Sequence, residues 1–162
     1  MNRFTPTYVF KSITDIDDSF FEKEKIHLVL LDIDNTLVED NEPLPSEYSL
    51  LCINKLKNLG LKLCLVSNNK KKRIDSFNEN LGLYSVYRAG KPFKKKLEKT
   101  IFEMGEKKEN SLLIGDQLLT DIAAGNNCGI RTALVNPIDP SRENSFFKFK
   151  RFIENKLFLR NF

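Results

Sequence analysis

The chain has 162 residues, of which 41% are hydrophobic and 30% charged, and its formal net charge is +4. This length suits one domain, and the composition excludes a disordered chain. No apolar run reaches the roughly 20 residues of a membrane-spanning helix, and the N-terminal residues lack the apolar stretch of a signal peptide. We therefore expect a globular protein of the cytosol.

Apolar patterns predict strands and helices that alternate along the chain. The predicted strands cover residues 26–31, 61–66, 86–87, 112–114 and 132–135. The predicted helices cover, to within a few residues, 44–59, 74–81, 92–104 and 120–128. Strands that alternate with helices indicate right-handed crossovers and a parallel sheet with helices on both faces. The sequence therefore predicts an α/β fold of three layers.

Some of these segments give more specific predictions. The apolar stripe of the first predicted helix consists of Leu44, Tyr48, Leu51, Cys52, Leu56 and Leu59. In the later helices Phe77, Phe93 and Leu97 are predicted core residues. The N-terminal stretch, through Phe20 and Phe21, is expected to pack on the flank of the sheet.

The charge surplus lies in the C-terminal segment. Residues 141–162 carry six basic and two acidic residues, so this segment accounts for the whole +4 and residues 1–140 are neutral overall. One face of a helical wheel of this segment is apolar and consists of Phe146, Phe149, Ile153 and Leu157. A basic amphipathic helix can lie on an anionic membrane surface. We expect either peripheral membrane association through residues 141–162 or packing of the stripe against a domain formed by residues 1–140.

Two further basic runs, residues 70–73 and 94–96, are predicted to be exposed helix faces. An alternative role for both is the steering of an anionic substrate.

The cysteines and the single histidine restrict the kind of metal site. Cys52, Cys64 and Cys128 are odd in number, lack Cys-x-x-Cys spacing and lie in apolar segments, which predicts buried thiols in a reducing compartment. His27 is predicted to be a packing or strand-end residue. A zinc site of His and Cys ligands is therefore disfavoured. A metal in this chain would be held by carboxylates, which are ligands that Mg²⁺ prefers.

Polar residues follow the predicted strand ends and begin one predicted helix. They are Asp32, Asp34, Ser67, Asn68, Asp116 and Asp121, with Lys91 at the helix. Ligands of doubly wound sheets bind beyond the carboxyl ends of the strands, so these side chains are expected to meet at one rim. Clustered acids need a cation, and Mg²⁺ also binds phosphate, for which Lys91 and Ser67 are donors. The residues predict a site for a divalent metal and a phosphate.

Four segments resemble the motifs of the haloacid dehalogenase (HAD) superfamily of phosphatases. Residues 31–37, Leu-Asp-Ile-Asp-Asn-Thr-Leu, resemble its first motif, Asp-x-Asp-x-Thr after a hydrophobic strand. Residues 66–69 resemble the second motif, 91–92 the third and 115–121 the fourth, in the same order and strand context. The residues of the four motifs are most similar to those of the YqeG-type branch of subfamily IIIA. The resemblance covers residues 6 to 138.

The resemblance implies a HAD-like Rossmannoid fold and a Mg²⁺-dependent phosphomonoester hydrolase that acts through an aspartyl-phosphate. It implies that Asp32 is the nucleophile and that Asp34 is the general acid and then the general base. Asp32, Asp116 and the backbone carbonyl of Asp34 would be the Mg²⁺ ligands. Asn35 stands where many superfamily members have glycine, but it agrees with the YqeG-type branch.

The resemblance also implies the groups that bind the transferring phosphoryl group. Ser67 and Lys91 would contact it directly, and Lys91 would thereby be catalytic as well as substrate-binding. Thr36 and Asn68 would support them as substrate-binding residues. Asp121 would orient either Lys91 or a metal-bound water.

The spacing of the motifs leaves no room for the cap domains of the superfamily. About thirty residues separate Leu37 from Ser67, and a loop and one helix occupy them; little more than twenty separate Ser67 from Lys91. An uncapped site is open, and it resembles sites that act on large or membrane-borne phosphates. Because relatives of this branch include phosphatidylglycerophosphate phosphatases, we expect that lipid of phospholipid synthesis to be the substrate.

Other functions remain open from the sequence. A soluble phosphomonoester, a nucleic-acid terminal phosphate or a phosphoprotein could be the substrate, although no aromatic-basic motif for nucleic acid stands out. A receiver-type phospho-acceptor is a different class, but receivers lack a second acid like Asp34, two residues after the acceptor Asp32. A binding protein without turnover is a third class. Nothing in the sequence predicts the oligomeric state.

Overall fold

The computed structural model describes residues 3–139 and residue 141. The strands are β1 (Tyr8–Val9), β2 (Leu28–Leu31), β3 (Lys62–Val66), β4 (Tyr84–Val86), β5 (Ser111–Gly115) and β6 (Arg131–Leu134). The helices are α1 (Asp18–Lys23), α2 (Glu47–Asn58), α3 (Lys71–Asn78), α4 (Lys95–Glu103) and α5 (Ala123–Cys128). A 3₁₀ turn (Lys108–Asn110) precedes β5, and a π-helical turn (Leu118–Ile122) precedes α5. The expectations for the C-terminal amphipathic segment fall, apart from Ser141, outside the described residues.

The six strands form one parallel sheet in the order β1-β6-β5-β2-β3-β4. Side chains of β2 alternate between the two faces of this sheet. Val29 and Leu31 pack in a cluster with residues of α2 and α3, whereas Leu28 and Leu30 pack in a second cluster with residues of α4 and α5. A strand covered on both faces is apolar throughout, as β2 is. The predicted three-layer α/β fold is confirmed.

The N-terminal stretch lies at the flank of the sheet, but it also adds a strand that the sequence did not predict. Tyr8 pairs with Ala133, so that β1 forms the edge strand beside β6. Phe21 of α1 is buried, and the ring of Phe20 meets the ring of Tyr8 edge-on at 4.9 Å between centroids. A strand of two residues is too short to show a period of two, and therefore only the tertiary pairing identifies it.

The first predicted helix corresponds to α2, which begins later than predicted and buries a different set of side chains. Leu44 and Leu51 are 57% and 60% exposed, and in this respect the prediction was wrong. The helix α2 begins at Glu47, because the side chain of Ser46 accepts the backbone N–H of Ser49 in a capping box. With this start, the face towards the sheet carries Cys52, Ile53 and Leu56.

Phe93 was also predicted wrongly as a core residue. Its side chain is 75% exposed, whereas Phe77 and Leu97 are buried as predicted. The helix α4 begins at Lys95, and Phe93 lies in the preceding turn, where its backbone N–H donates to the carbonyl of Gly90. Phe93 therefore precedes the helix, and the helical periodicity that predicted it on the inner face does not apply to it.

The connections between strands are too short to hold a separate domain. In the described chain, a loop and α2 connect β2 to β3, and α3 alone lies between β3 and β4. The predicted absence of a cap domain is confirmed. Among the described helices, none has the length and apolar character that crossing a membrane requires.

Candidate active site

The carboxyl ends of the central strands open into a cavity of about 360 Å³. Predicted site residues that line it are Asp32, Asp34, Ser67, Asn68, Lys91 and Asp121. Further lining residues, which the prediction did not include, are Asn35, Asp40, Asn41, Asn69, Gln117 and Thr120. The other two predicted residues, Thr36 and Asp116, are buried beside Asp32. The structure thus brings together all the residues that the sequence placed at this rim.

Lys91 is the buried cation of the site. Its ammonium group donates to Asp32 Oδ1 at 2.5 Å, to Asp121 Oδ1 at 2.7 Å and to the carbonyl of Val66 at 2.9 Å. Burial alone would lower the pKa of Lys91, but the carboxylates of Asp121 and Asp32 raise the pKa above its usual range. The side chain is therefore charged at neutral pH, and three acceptors fix its direction.

Asp32, Asp116 and Asp121 form a buried carboxylate cluster. One oxygen of each lies within 4.8 Å of the others. Burial raises the pKa of Asp32 well above its usual range; Lys91 opposes this shift, while Asp121 and Asp116 add to it. A divalent cation with a preference for oxygen ligands would compensate these charges, so the donor set fits Mg²⁺. The cluster contains Asp121, which the prediction assigned a supporting role, in addition to Asp32 and Asp116.

The position of Asp121 depends on a close approach to Gly115. A Cβ atom on Gly115 would lie 2.4 Å from Cγ of Asp121, so that only glycine leaves space for the carboxylate. The π-helical turn between β5 and α5 brings Asp121 back towards the end of the strand. The backbone N–H of Gln117 donates to Asp121 Oδ2 at 3.1 Å and fixes the second oxygen. Asp121 therefore contacts Lys91 directly, as one of its two predicted roles requires.

Thr36 and Asn35 shape the loop that follows β2. Thr36 Oγ1 lies 3.2 Å from Asp32 Oδ2 and 3.3 Å from Asp116 Oδ1, so its hydroxyl can donate to either carboxylate. Asn35 has a φ of 60°, in the left-handed region that glycine and asparagine tolerate best. This conformation explains why asparagine can stand where many members of the HAD superfamily have glycine.

Asn68 and Ser67 hold the backbone around the site. Asn68 makes two hydrogen bonds with the backbone of Lys91: its Oδ1 accepts from the N–H at 2.8 Å and its Nδ2 donates to the carbonyl at 3.0 Å. Ser67 is buried at the wall of the cavity, and its Oγ accepts the backbone N–H of Asn69 at 3.1 Å. Asn68 thus connects the second and third motifs, and the hydroxyl hydrogen of Ser67 is available for another acceptor.

The carboxylate of Asp34 is not part of the buried cluster and contacts two residues that sequence reasoning missed. Arg73 Nη2 donates to Asp34 Oδ1 at 3.0 Å, and Asn69 Nδ2 donates to Asp34 Oδ2 at 2.7 Å. The Arg73 side chain is only 15% exposed, so its prediction as part of an exposed basic face was wrong. Asn69 belongs to the second motif and could have been found there, but Arg73 reaches the site only through the packing of α3.

Comparison with known proteins identifies the family of this chain. The family model described as HAD-hydrolase-like matches residues 88–137. The chain is 34% identical over 154 residues to the probable phosphatase YqeG of Bacillus subtilis (strain 168), and the match covers 95% of this chain and 89% of that protein. This similarity extends over all four motifs.

Solved structures of low sequence identity share the fold. A haloacid dehalogenase-like hydrolase from Bacteroides fragilis superposes with a TM-score of 0.59 at 15% identity, over 73% of this chain and 91% of that chain. The cobalt-bound deoxy-D-mannose-octulosonate 8-phosphate phosphatase of Haemophilus influenzae gives a TM-score of 0.55 at 18% identity, over 78% and 75%. Together with the YqeG match, these findings confirm the predicted family: the chain belongs to the YqeG-type branch of the HAD superfamily and is an enzyme of the phosphatase class.

Proposed function

We propose that the protein is a Mg²⁺-dependent phosphomonoester hydrolase that forms an aspartyl-phosphate on Asp32, and that its substrate is phosphatidylglycerophosphate. The observation that carries the mechanism is the pair of acids in one loop with different surroundings. Asp32 is buried against Lys91, whereas Asp34 lies half-buried at the wall of the cavity. Two acids in such different environments suit two different roles.

In the first step, an oxygen of the Asp32 carboxylate attacks phosphorus, and the bond from phosphorus to the leaving oxygen breaks. Protonated Asp34 gives its proton to that oxygen, so that the product leaves as an alcohol. Lys91 donates to Asp32 at 2.5 Å before attack, and we propose that it also binds the phosphoryl oxygens, together with the Ser67 hydroxyl. Asn68 keeps the backbone of Lys91 in place throughout.

In the second step, water attacks the phosphorus of the aspartyl-phosphate. Asp34, now a carboxylate, accepts a proton from the water, and the bond between phosphorus and Asp32 breaks. Inorganic phosphate leaves, Asp32 is again a carboxylate and Asp34 is again protonated. Arg73 and Asn69, which hold both oxygens of Asp34, are positioning residues for this second acid.

We propose Asp32, Asp116 and the backbone carbonyl of Asp34 as the residues that hold Mg²⁺. When bound, the ion neutralises the acidic cluster and polarises the phosphoryl group. The close approach of the Asp32, Asp116 and Asp121 carboxylates supports this assignment. Asp121 contacts Lys91 and, in the proposal, orients it rather than the metal.

The substrate assignment rests on the open site and on the family. The described chain has no cap over the cavity, so a headgroup phosphate at a bilayer surface could reach Asp32. A polar cavity wall also suits a soluble phosphomonoester, which is the second candidate. The three buried thiols support a reducing compartment, and we propose that the enzyme acts in the cytosol, at the inner face of the membrane.

The test is Mg²⁺-dependent phosphate release from phosphatidylglycerophosphate in mixed micelles. We expect the wild-type protein to turn over, and we expect Asp32→Asn to lose at least about 10³-fold in kcat because an amide is not a nucleophile. Chelation of the metal should abolish turnover in the wild-type protein.

Four outcomes would contradict parts of the proposal. Hydrolysis of a soluble phosphomonoester without hydrolysis of the lipid would disprove the lipid assignment. Equal release by the wild-type protein and Asp32→Asn would disprove the nucleophile. Stable phosphorylation of Asp32 without release would indicate a phospho-acceptor, and ligand binding without either reaction would indicate a binding protein.

A further inference from the structure

We propose that a basic rim beside the active site docks the folded domain on an anionic bilayer surface. The rim consists of the exposed residues Lys70, Lys71, Lys72, Arg88, Phe93, Lys94, Lys95 and Lys96. This inference deepens the proposed lipid substrate and rests on it. It concerns the described domain and does not depend on the C-terminal segment.

The rim comes from three parts of the chain, which hydrogen bonds join to one another. The backbone N–H of Arg88 donates to the carbonyl of Asn69 at 2.8 Å, which joins the loop after β4 to the loop before α3. Lys96 Nζ donates to the carbonyl of Arg88 at 2.6 Å, which joins α4 to the same loop. Asn68 binds the backbone of Lys91, which connects the rim to the wall of the active site.

The charges of the rim are only partly compensated. Among the residues that the structure describes, only Lys71 and Lys94 of the seven basic rim residues form ion pairs with acids, namely Asp75 and Glu98. Exposed basic residues concentrated in this way attract an anionic membrane surface within about 8 Å at physiological salt. The net neutrality of residues 1–140 therefore conceals a strongly basic region.

Phe93 provides the apolar contact of this surface. It lies two residues after Lys91 and its side chain is 75% exposed, beside three consecutive lysines. An exposed aromatic ring among lysines is a typical arrangement of interfacial membrane contacts, where the ring enters the headgroup region and the lysines remain in water. Contact at Phe93 would place the headgroup phosphates close to the loop that carries Lys91.

The chain offers a matched control for this contact. Phe102 is 84% exposed on the same helix α4, but near its other end. That end lies at the amino edge of the sheet, because Lys62 at the start of β3 donates to the carbonyl of Met104. Lys107 follows on the same side and is exposed. A membrane that docks on the basic rim would not contact Phe102 or Lys107.

The experiment measures binding of the full chain to vesicles without turnover. The vesicles contain phosphatidylcholine with about one third phosphatidylglycerol, and pure phosphatidylcholine vesicles serve as the uncharged reference. We expect Phe93→Ala/Lys95→Glu to bind the anionic vesicles at least about tenfold more weakly than the wild-type protein, and Phe102→Ala/Lys107→Glu to bind like the wild type. Both variants should keep wild-type activity on a soluble phosphomonoester, and added salt should weaken wild-type binding.

Two results would overturn the proposal. One is equal vesicle binding by the rim variant and the wild type, which would assign any membrane contact to another surface. The other is tighter wild-type binding to single-stranded RNA than to anionic vesicles, lost in the same variant, which would make the rim a nucleic-acid surface. Asp32→Asn should bind vesicles like the wild type, so a failure of docking is distinguishable from a failure of the proposed chemistry.

Discussion

Asp34 depends on side chains outside its own motif. Its carboxylate is held by Asn69 from the second motif and by Arg73 from the first turn of α3. In this arrangement both oxygens of Asp34 have a donor, and the direction of the carboxylate is fixed before a substrate arrives. A misplaced acid transfers a proton poorly, so Arg73 is expected to affect the rate through Asp34.

The loss of kcat/KM on replacement of Arg73 by methionine should therefore depend on the leaving group. For an alkyl phosphate, whose leaving oxygen needs a proton, we expect kcat/KM to fall by about 10- to 100-fold. For an aryl phosphate with an acidic phenol, which can leave without a proton, kcat/KM should change by less than about threefold. The measurement is kcat/KM for both substrates with the same enzyme preparation.

Lys72→Met is the control for this experiment, because Lys72 lies on the same helix turn and is exposed. It should leave kcat/KM for both substrates unchanged. An equal loss by Arg73→Met on the alkyl and the aryl phosphate would mean that Arg73 has a structural role or contacts the phosphoryl group.

At the same scale, the sequence predicted which residues meet but not all of their contacts. Asp32 and Asp116 directly follow strands and Lys91 lies between β4 and α4, and parallel topology collects these positions at one edge of the sheet. Arg73 could not be predicted in this way. It follows three lysines in the chain, and only the packing of Ile74 and Phe77 under the sheet turns its side chain inward.

The connection between β5 and α5 shows how an element positions a side chain. The predicted helix was continuous over residues 120–128, but the structure has a π-helical turn at Leu118–Ile122 followed by α5. The wider turn lets Asp121 approach Gly115 and bind Lys91. Helical periodicity cannot distinguish a π turn from an α turn over so few residues, so this detail was beyond the sequence.

The variant Gly115→Ala tests the close contact between Gly115 and Asp121. Because the new Cβ would lie 2.4 Å from Cγ of Asp121, we expect the free energy of unfolding to fall by about 1–3 kcal/mol. We also expect kcat to fall at least about tenfold, since Asp121 must move away from Lys91. Urea unfolding and steady-state kinetics on one substrate are the two measurements.

Gly105→Ala is the control for Gly115→Ala, because it tests backbone strain at a glycine without steric crowding of the new Cβ atom. Gly105 has a φ of +68° and a Cβ there would meet nothing within 4 Å, so the cost should be limited to about 1–2 kcal/mol from the left-handed conformation. Its kcat should equal that of the wild type. A wild-type kcat in Gly115→Ala would show that Asp121 keeps its contact with Lys91 despite the added methyl group.

At the scale of the whole molecule, the three thiols lie in the hydrophobic clusters on both faces of the sheet, so their reactivity can show whether each face is folded. Cys52 lies in the cluster with α2 and α3, whereas Cys64 and Cys128 lie in the cluster with α4 and α5. All three are buried, as predicted. Burial raises the pKa of Cys128 to about 11 and also raises the pKa values of Cys52 and Cys64.

These pKa shifts predict low thiol reactivity in the native protein. Disulfide reagents attack the thiolate, and a raised pKa reduces the thiolate fraction at pH 8 below that of a free cysteine, whose pKa is about 8.5. We expect all three thiols to be unreactive at pH 8 without urea, and to become reactive at the same urea concentration. The measurement is the number of thiols labelled per chain along a urea titration.

Labelling of the three cysteines at different urea concentrations would contradict unfolding of the domain as a single cooperative unit. If Cys52 reacted at lower urea than Cys64 and Cys128, the layer formed by α2 and α3 would open by itself. Mass spectrometry of the labelled peptides identifies which cysteine has reacted.

The edge strand β1 ties the beginning of the described chain to its last strand. Tyr8 pairs with Ala133, and Asn126 Nδ2 donates to the carbonyls of Arg3 and Thr5 at 2.9 Å each. During synthesis, therefore, β1 leaves the ribosome before β6 and must wait for β6 before it can pair. Until residue 134 has emerged, the nascent chain can assemble the sheet only from β2, β3, β4 and β5, and among the described strands the pairing of β1 with β6 comes last.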